Sequence, residues 1–239
     1  MQKPEILETL RDAQLAHRAG DFVNALKFYE YFFDYALDHD PYALYGVRLS
    51  YCLDGWAKLA ETFPAAHKRL KDKQVQSLEN YFSDNDPEKF HDYYCISKLI
   101  NETELALQAF YQLHKQQPKD STKLAKYVWD DLVQAEKWHI CSDLLPQPQQ
   151  KLDEYFAIYD EAQQLKSADA EFDNAQFDQH LVETLLDGIS NTVDVLRYND
   201  RGDEIHQLQR QFNQALEMRN DATLSKAAHA KASFLFTGH

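Results

Sequence analysis

Glycine is the first shortage: six residues in 239, no two of them within five positions of each other. Ordinary globular chains carry about 7% glycine. Phosphate-cradling loops and dinucleotide fingerprints need closely spaced glycines so that the backbone can approach a pyrophosphate, so both are excluded. Tight turns are few by the same measure, and few turns means few strands. Only three cysteines occur, Cys52, Cys95 and Cys141, with no Cys-x-x-Cys pair, which argues against a disulfide framework or a zinc ribbon. Basic residues are outnumbered 25 to 39, for a formal charge of −14. Nucleic acid and anionic membranes require a basic face that displaces counterions, so neither is an expected partner. No run approaches the roughly 20 apolar residues of a membrane span. The start, Met1-Gln2-Lys3-Pro4-Glu5, leads into mixed polar sequence without a signal-like apolar core, and a cytoplasmic location is expected. No serine sits in a Gly-x-Ser-x-Gly elbow.

What is present is helical periodicity, from end to end. Ile6, Leu10 and Ala13 recur at helical spacing; after Gly20-Asp21 so do Phe22, Ala25-Leu26, Tyr29, Phe32-Phe33 and Ala36-Leu37. A long helix after Pro41 places Leu44-Tyr45, Arg48-Leu49, Cys52-Leu53, Trp56 and Leu59-Ala60 on one face. Another starts near Pro64, with Leu70, Val75, Leu78 and Phe82 as its apolar set. Asp86-Pro87 reads as a helix start. Further helices are expected over 102–116, 121–134 and 137–145, then beyond Pro146-Gln-Pro148. Asp21, Asp203 and Asp221 are expected N-caps. The fold class is all-α, and Pro146–Pro148 marks a boundary between residues 1–145 and an acidic C-terminal set of helices over 146–239, expected to pack on the first part.

Two segments share an order of residues. In Gly20-Asp21-Phe22…Ala25…Tyr29…Phe32 and in Asn101…Thr103…Ala106…Phe110…Leu113…Pro118, a polar turn precedes a small residue, an aromatic four further on and an apolar residue three later. Weaker copies run Phe63, Ala66, Leu70 and Trp138, Cys141, Leu145; aligned on Phe22, Phe63, Thr103 and Trp138 the spacings are 41, 40 and 35. This pattern resembles the second helix of a tetratricopeptide repeat over residues 8–145. The resemblance implies an α/α superhelix of antiparallel helical hairpins, in which small residues let paired helices approach closely. The first helices depart from that pattern, with Tyr94 and Trp129 where small residues are usual.

Candidate chemistry is sparse. His91 and Cys95, four apart, and His139 and Cys141, two apart, could be imagined as a zinc set, but the latter two project to different helix faces. His39-Asp40 and His91-Asp92 echo the paired ligands of metal phosphohydrolases; a metal-dependent hydrolase using His91, Asp92 and His139 is the enzymatic alternative. Asp169, Glu171 and Asp173 alternate, without the glycine and terminal glutamate of a calcium loop. No catalytic, cofactor or metal site is assigned.

Aromatic load and charge placement say more. The chain has 14 tyrosines, 14 phenylalanines and three tryptophans. Such rings fill gaps between hairpins or anchor a partner protein on a concave face, and Tyr45 and Tyr94 are the candidate anchors. Between Asp153 and Asp187 ten acids meet one base, Lys166. Asp160, Glu161, Asp169, Glu171, Asp173 and Asp178 form the candidate docking set there, its field suited to a basic protein. The expected function is therefore a non-enzymatic protein-binding module. Acidic, all-helical and cytoplasmic, it is loosely similar to bacterial immunity proteins that neutralise basic, nuclease-like toxins. A repeat scaffold or chaperone for a peptide or secreted cargo is the alternative, with only Arg48, Lys98 and Lys123 or Lys126 available to clamp a carboxylate.

Overall fold

The computed structural model describes residues 5–168, 174–219 and 221–237. Among them there are helices and no strands: α1 (Glu5–Arg18), α2 (Phe22–His39), α3 (Tyr45–Val47) running through a π-helical stretch (Arg48–Cys52) into α4 (Leu53–Thr62), α5 (Pro64–Asp84), α6 (Pro87–Leu99), α7 (Thr103–Gln116), α8 (Pro118–Gln134), α9 (Trp138–Asp143), α10 (Pro148–Ala168), α11 (Ala175–Tyr198), α12 (Gly202–Arg219) and α13 (Ala222–Thr237). Consecutive helices pack as hairpins, α1 on α2, α4 on α5 and α5 on α6. The fold is all-α. Two compact units divide within α8, one reaching Val128 and the other starting at Trp129.

The turns explain how a chain with so little glycine stays helical. Among the described residues five helix ends carry a residue in the left-handed region, and only one of these is glycine, Gly20; the others are Asn85, Asn101, Glu136 and Asp200. At Gly20 the amide of Asp21 reaches the carbonyl of Ala16 (2.9 Å) and that of Gly20 reaches His17 (3.1 Å), which satisfies two orphan carbonyls of α1. The same pair of bonds recurs around Asn101, Glu136 and Asp200. Asp21, Asp86 and Asp221 cap α2, α6 and α13, accepting from Asn24 N (3.3 Å), Glu88 N (3.0 Å) and Thr223 N (2.9 Å). Asp203 does not cap: α12 begins at Gly202, which puts Asp203 inside its first turn. Asn174 caps α11, accepting from Phe177 N at 2.9 Å.

In the first unit α1 buries Ile6, Leu10 and Ala13, and α2 buries Ala25, Leu26, Tyr29, Phe32, Phe33 and Ala36. The repeated small positions behave alike: Ala25, Ala66, Ala106 and Cys141 are each fully buried, and the bulky residues four further on (Tyr29, Leu70, Phe110, Leu145) are no more than 3% exposed. On α5 the apolar pattern misled. Val75 and Phe82 face solvent while Gln74, Ser77 and Tyr81 are buried. The reason is a polar seam: the Gln74 amide donates to Ser97 Oγ (2.8 Å) and to Glu102 Oε2 (3.0 Å), and Lys71 bonds the same carboxylate. Satisfied in this way, a glutamine is tolerated on an inner face.

In the second unit α11 packs against α9, α10, α12 and α13. Its Val182, Leu185, Leu186, Ile189, Val193, Val195 and Leu196 are buried, with Phe156, Phe212 and Phe236 in the same core.

In each unit, among the described residues, a tyrosine ring lies on a glycine at a helix crossing. A Cβ on Gly55 would stand 2.6 Å from the Tyr29 hydroxyl, and one on Gly188 would stand 2.6 Å from Cε1 of Tyr155. An added methyl at either position would force the ring to shift from its packing. Gly55→Ala and Gly188→Ala are each expected to destabilise by about 1–3 kcal/mol in urea unfolding. Gly46→Ala, with nothing within 4 Å of its Cβ, is expected to be neutral or stabilising, since glycine costs about 0.5–1 kcal/mol within a helix. Equal effects at the three positions would contradict the close approach.

Candidate functional site

Leu44 and, in the long helix of residues 45–62 that follows it, Arg48, Cys52 and Trp56 face the core, four residues apart, with Leu53 and Leu59 beside them. In a regular α-helix, residues 44 and 56 would differ by about 120° around the axis. The π-helical stretch Arg48–Cys52 widens one turn and restores them to one side. Such insertions are common where a helix serves a site.

Arg48 is the unusual member of that line, a guanidinium only 3% exposed. Its side chain forms a two-point ion pair with Asp92 of α6, NH1 donating to Oδ2 at 3.1 Å and NH2 to Oδ1. Its Cζ lies 4.5 Å from the centre of the Phe33 ring, which adds a cation–π contact. Burial raises the Asp92 carboxyl above its usual range, against the pull of Arg48.

The pair sets its neighbours. His91 precedes Asp92, and Tyr45 lies three residues before Arg48; the Tyr45 hydroxyl and His91 Nδ1 are 2.7 Å apart. On its other side His91 stacks on Tyr127 of α8, ring centres 4.0 Å apart and planes 12° from parallel. Above them is an open groove of about 680 Å³ between Tyr45, His91 and Tyr127 on its floor and Pro41, Tyr42, Glu88 and Lys126 on its lips. Asp40 fixes one lip by accepting from the amides of Tyr42 (3.1 Å) and Ala43 (2.9 Å). Asp86, the cap of α6, fixes the other through Glu88 N. Tyr42 is 94% exposed.

The electrostatics of the floor are one-sided. Burial, helped by the charges of Arg48 and Lys126, lowers His91 to about 4. Burial, with Tyr127 close by, raises the Tyr45 hydroxyl. Near neutrality both groups are uncharged, and the hydroxyl donates to the imidazole when its own proton sits on Nε2.

Of the residues expected to bind a partner, Tyr45 lies in this groove and Tyr94 does not. Tyr94 is 2% exposed and stacks on Phe90 at 6.3 Å, inside a ring cluster with Tyr81, Tyr93 and Phe110, where it fills the core. Asp160 is held by Arg219 (2.9 and 2.6 Å) and Asp178 by Lys166 (2.7 and 2.8 Å), while Glu161 is exposed. Lys151 pairs with Glu154 and Lys231 with Asp187. The acidic stretch thus draws in bases from outside it. Asp169, Glu171 and Asp173 lie outside the described residues. For the hydrolase alternative, His91 and Asp92 are engaged as above, and His139 Nδ1 lies 3.1 Å from Asn199 Oδ1. No group of three or more potential metal ligands occurs among the described residues.

Sequence reasoning missed Tyr127, Lys126 and Glu88 as groove residues and Arg48 with Asp92 as a pair. One signal was available. Arg48 shares the core face with Leu44 and Cys52, and a charge on such a face must find a partner. Comparison of the chain with protein-family models, with curated proteins and with solved structures finds no match.

The lowered His91 value has a consequence for stability. The unfolded chain takes up a proton near pH 6.5 and the folded one only near 4, so stability is whole above 6.5 and falls as pH drops through that window. The loss expected between pH 7 and pH 5 is about 2 kcal/mol. Urea unfolding of the parent and of His91→Asn at both pH values checks it: the parent should lose that much more than the variant. Parallel losses would show that His91 titrates normally.

Proposed function

We propose that this chain is a non-enzymatic binding module for a basic protein, engaged through the tyrosine groove of its first unit. One observation carries the reading. Tyr45 and His91 stand at hydrogen-bond distance, as a catalytic pair would, but the hydroxyl is pushed up and the imidazole is pushed down to about 4. A general acid or base works best with a pKa near the operating pH. These two are moved away from it on both sides, which suits a rigid floor and not proton transfer. Tyrosines at a fixed groove are strong interface anchors, because they bury large amphipathic area with little loss of side-chain freedom.

The charge of −14 supplies the selectivity for a basic partner by steering encounter. A nuclease-like toxin, neutralised by an immunity protein, is the case this fits. The full burial of Ala25, Ala66, Ala106 and Cys141 supports a tetratricopeptide-like repeat as the frame, since closely packed hairpins turn one face of the array into a docking surface.

A photo-crosslinking amino acid at position 42 is expected to give one adduct, with a basic protein. With that partner purified, Tyr42→Ser should weaken binding about tenfold, equivalent to 1.4 kcal/mol, and Glu161→Lys by less than about threefold, as a rim charge does. Loss of binding in Glu161→Lys with Tyr42→Ser unaffected would move docking to the acidic segment and overturn the groove.

A further inference from the structure

On the first unit a second groove, of about 600 Å³, carries charge of the opposite sign to the chain as a whole. Arg18 and His17 enter it from the last turn of α1, Lys58 from α4, and Tyr51 from the π-helical stretch, over a floor made by Tyr29. Asp54 is the one carboxylate in its lining. In a chain with 39 acids, neither Arg18 nor Lys58 has an ion-pair partner among the described residues, and Asp54 pairs with neither.

Arg18 and His17 are held in place. Arg18 Nε donates to the carbonyl of Gln14 at 3.3 Å, which ties the exposed side chain to α1 and leaves its two terminal amino groups for a ligand. The His17 ring is braced edge-on by Phe22 and Tyr29, centres 6.0 and 6.4 Å away. Tyr29 lies against the bare Cα of Gly55, and burial raises its hydroxyl to about 12, so at neutral pH the floor retains a proton to donate. Tyr51, 67% exposed, stands at the mouth.

We propose that this groove binds a phosphate monoester through Arg18, Lys58 and His17, with the ester group against Tyr51. A carboxylate would bring one negative charge to two cations. A monoester brings −1.5 to −2 and three acceptor oxygens, which match two cations and the ring N–H of a histidine. The guanidinium and ammonium differ in role: the fork of Arg18 takes two oxygens and Lys58 a third. This site stands apart from the tyrosine groove and does not depend on it.

The test is an NMR titration of the full chain, following the His17 ring resonances at low salt. Phenyl phosphate is expected to shift them saturably, and benzoate to bind at least about tenfold more weakly. Arg18→Gln and Lys58→Gln, both at exposed positions and checked for an unchanged thermal midpoint, should each weaken phenyl phosphate about tenfold. A short phosphotyrosine peptide binding more tightly than phenyl phosphate would assign the monoester to a protein chain; equal affinity would assign it to a small molecule. No saturable shift at His17, benzoate binding as well as phenyl phosphate, or unchanged affinity in both variants would each overturn the site.

Discussion

A buried ion pair governs the first unit. Arg48 and Asp92 are 3% and 4% exposed, and taking each charge out of water costs several kcal/mol even after relaxation. Their two hydrogen bonds offset that cost only in one relative placement of the helix 45–62 and α6. The pair therefore fixes how these helices are rolled against each other, and the residues beside it inherit that placement: His91 next to Asp92, Tyr45 one turn before Arg48. The 2.7 Å contact between them and the stacking on Tyr127 follow from the same constraint. The pair's contribution is specificity of arrangement more than net stability, since the cost of desolvating both charges offsets most of their attraction.

Around that pair, close packing rests on small residues at crossings. Fully buried Ala25, Ala66, Ala106 and Cys141 let helices approach, and Gly55 and Gly188 let tyrosine rings lie on a helix backbone. Glycine is used for proximity there and for a left-handed turn at Gly20, while Asn85, Asn101, Glu136 and Asp200 take the other left-handed positions among the described residues. For a non-glycine residue that conformation costs about 1–2 kcal/mol. Hydrogen bonds to the last carbonyls of the preceding helices compensate.

Much of this was legible from the residues alone. Helices, the caps at Asp21, Asp86 and Asp221, and the spacing of the buried small residues follow from local chemistry and period. What was not legible depends on contacts across the chain. The inner face of α5 could not be read from Leu70, Val75 and Phe82, because Gln74 is made acceptable there by Ser97 and Glu102, 23 and 28 residues away. Tyr94 could not be told from a surface tyrosine, since its burial comes from a ring cluster assembled from three helices. The acidic run counted one base within it, yet Lys151, Arg219 and Lys231 reach it from elsewhere. The groove needed α8 to be brought beside α6, which no pattern in either helix announces.

The claim that the Arg48–Asp92 pair sets the groove, and does not simply hold the unit together, is open to a direct measurement. Asp92→Leu alone leaves a buried guanidinium unpaired and is expected to cost about 3–5 kcal/mol. Arg48→Met with Asp92→Leu removes both charges and should recover stability to within about 1 kcal/mol of the parent. NMR contacts between the His91 ring and the rings of Tyr45 and Tyr127 should then be lost from this stable double variant. If the double variant is stable and keeps those contacts, apolar packing alone places the groove, and the role given to the ion pair is wrong.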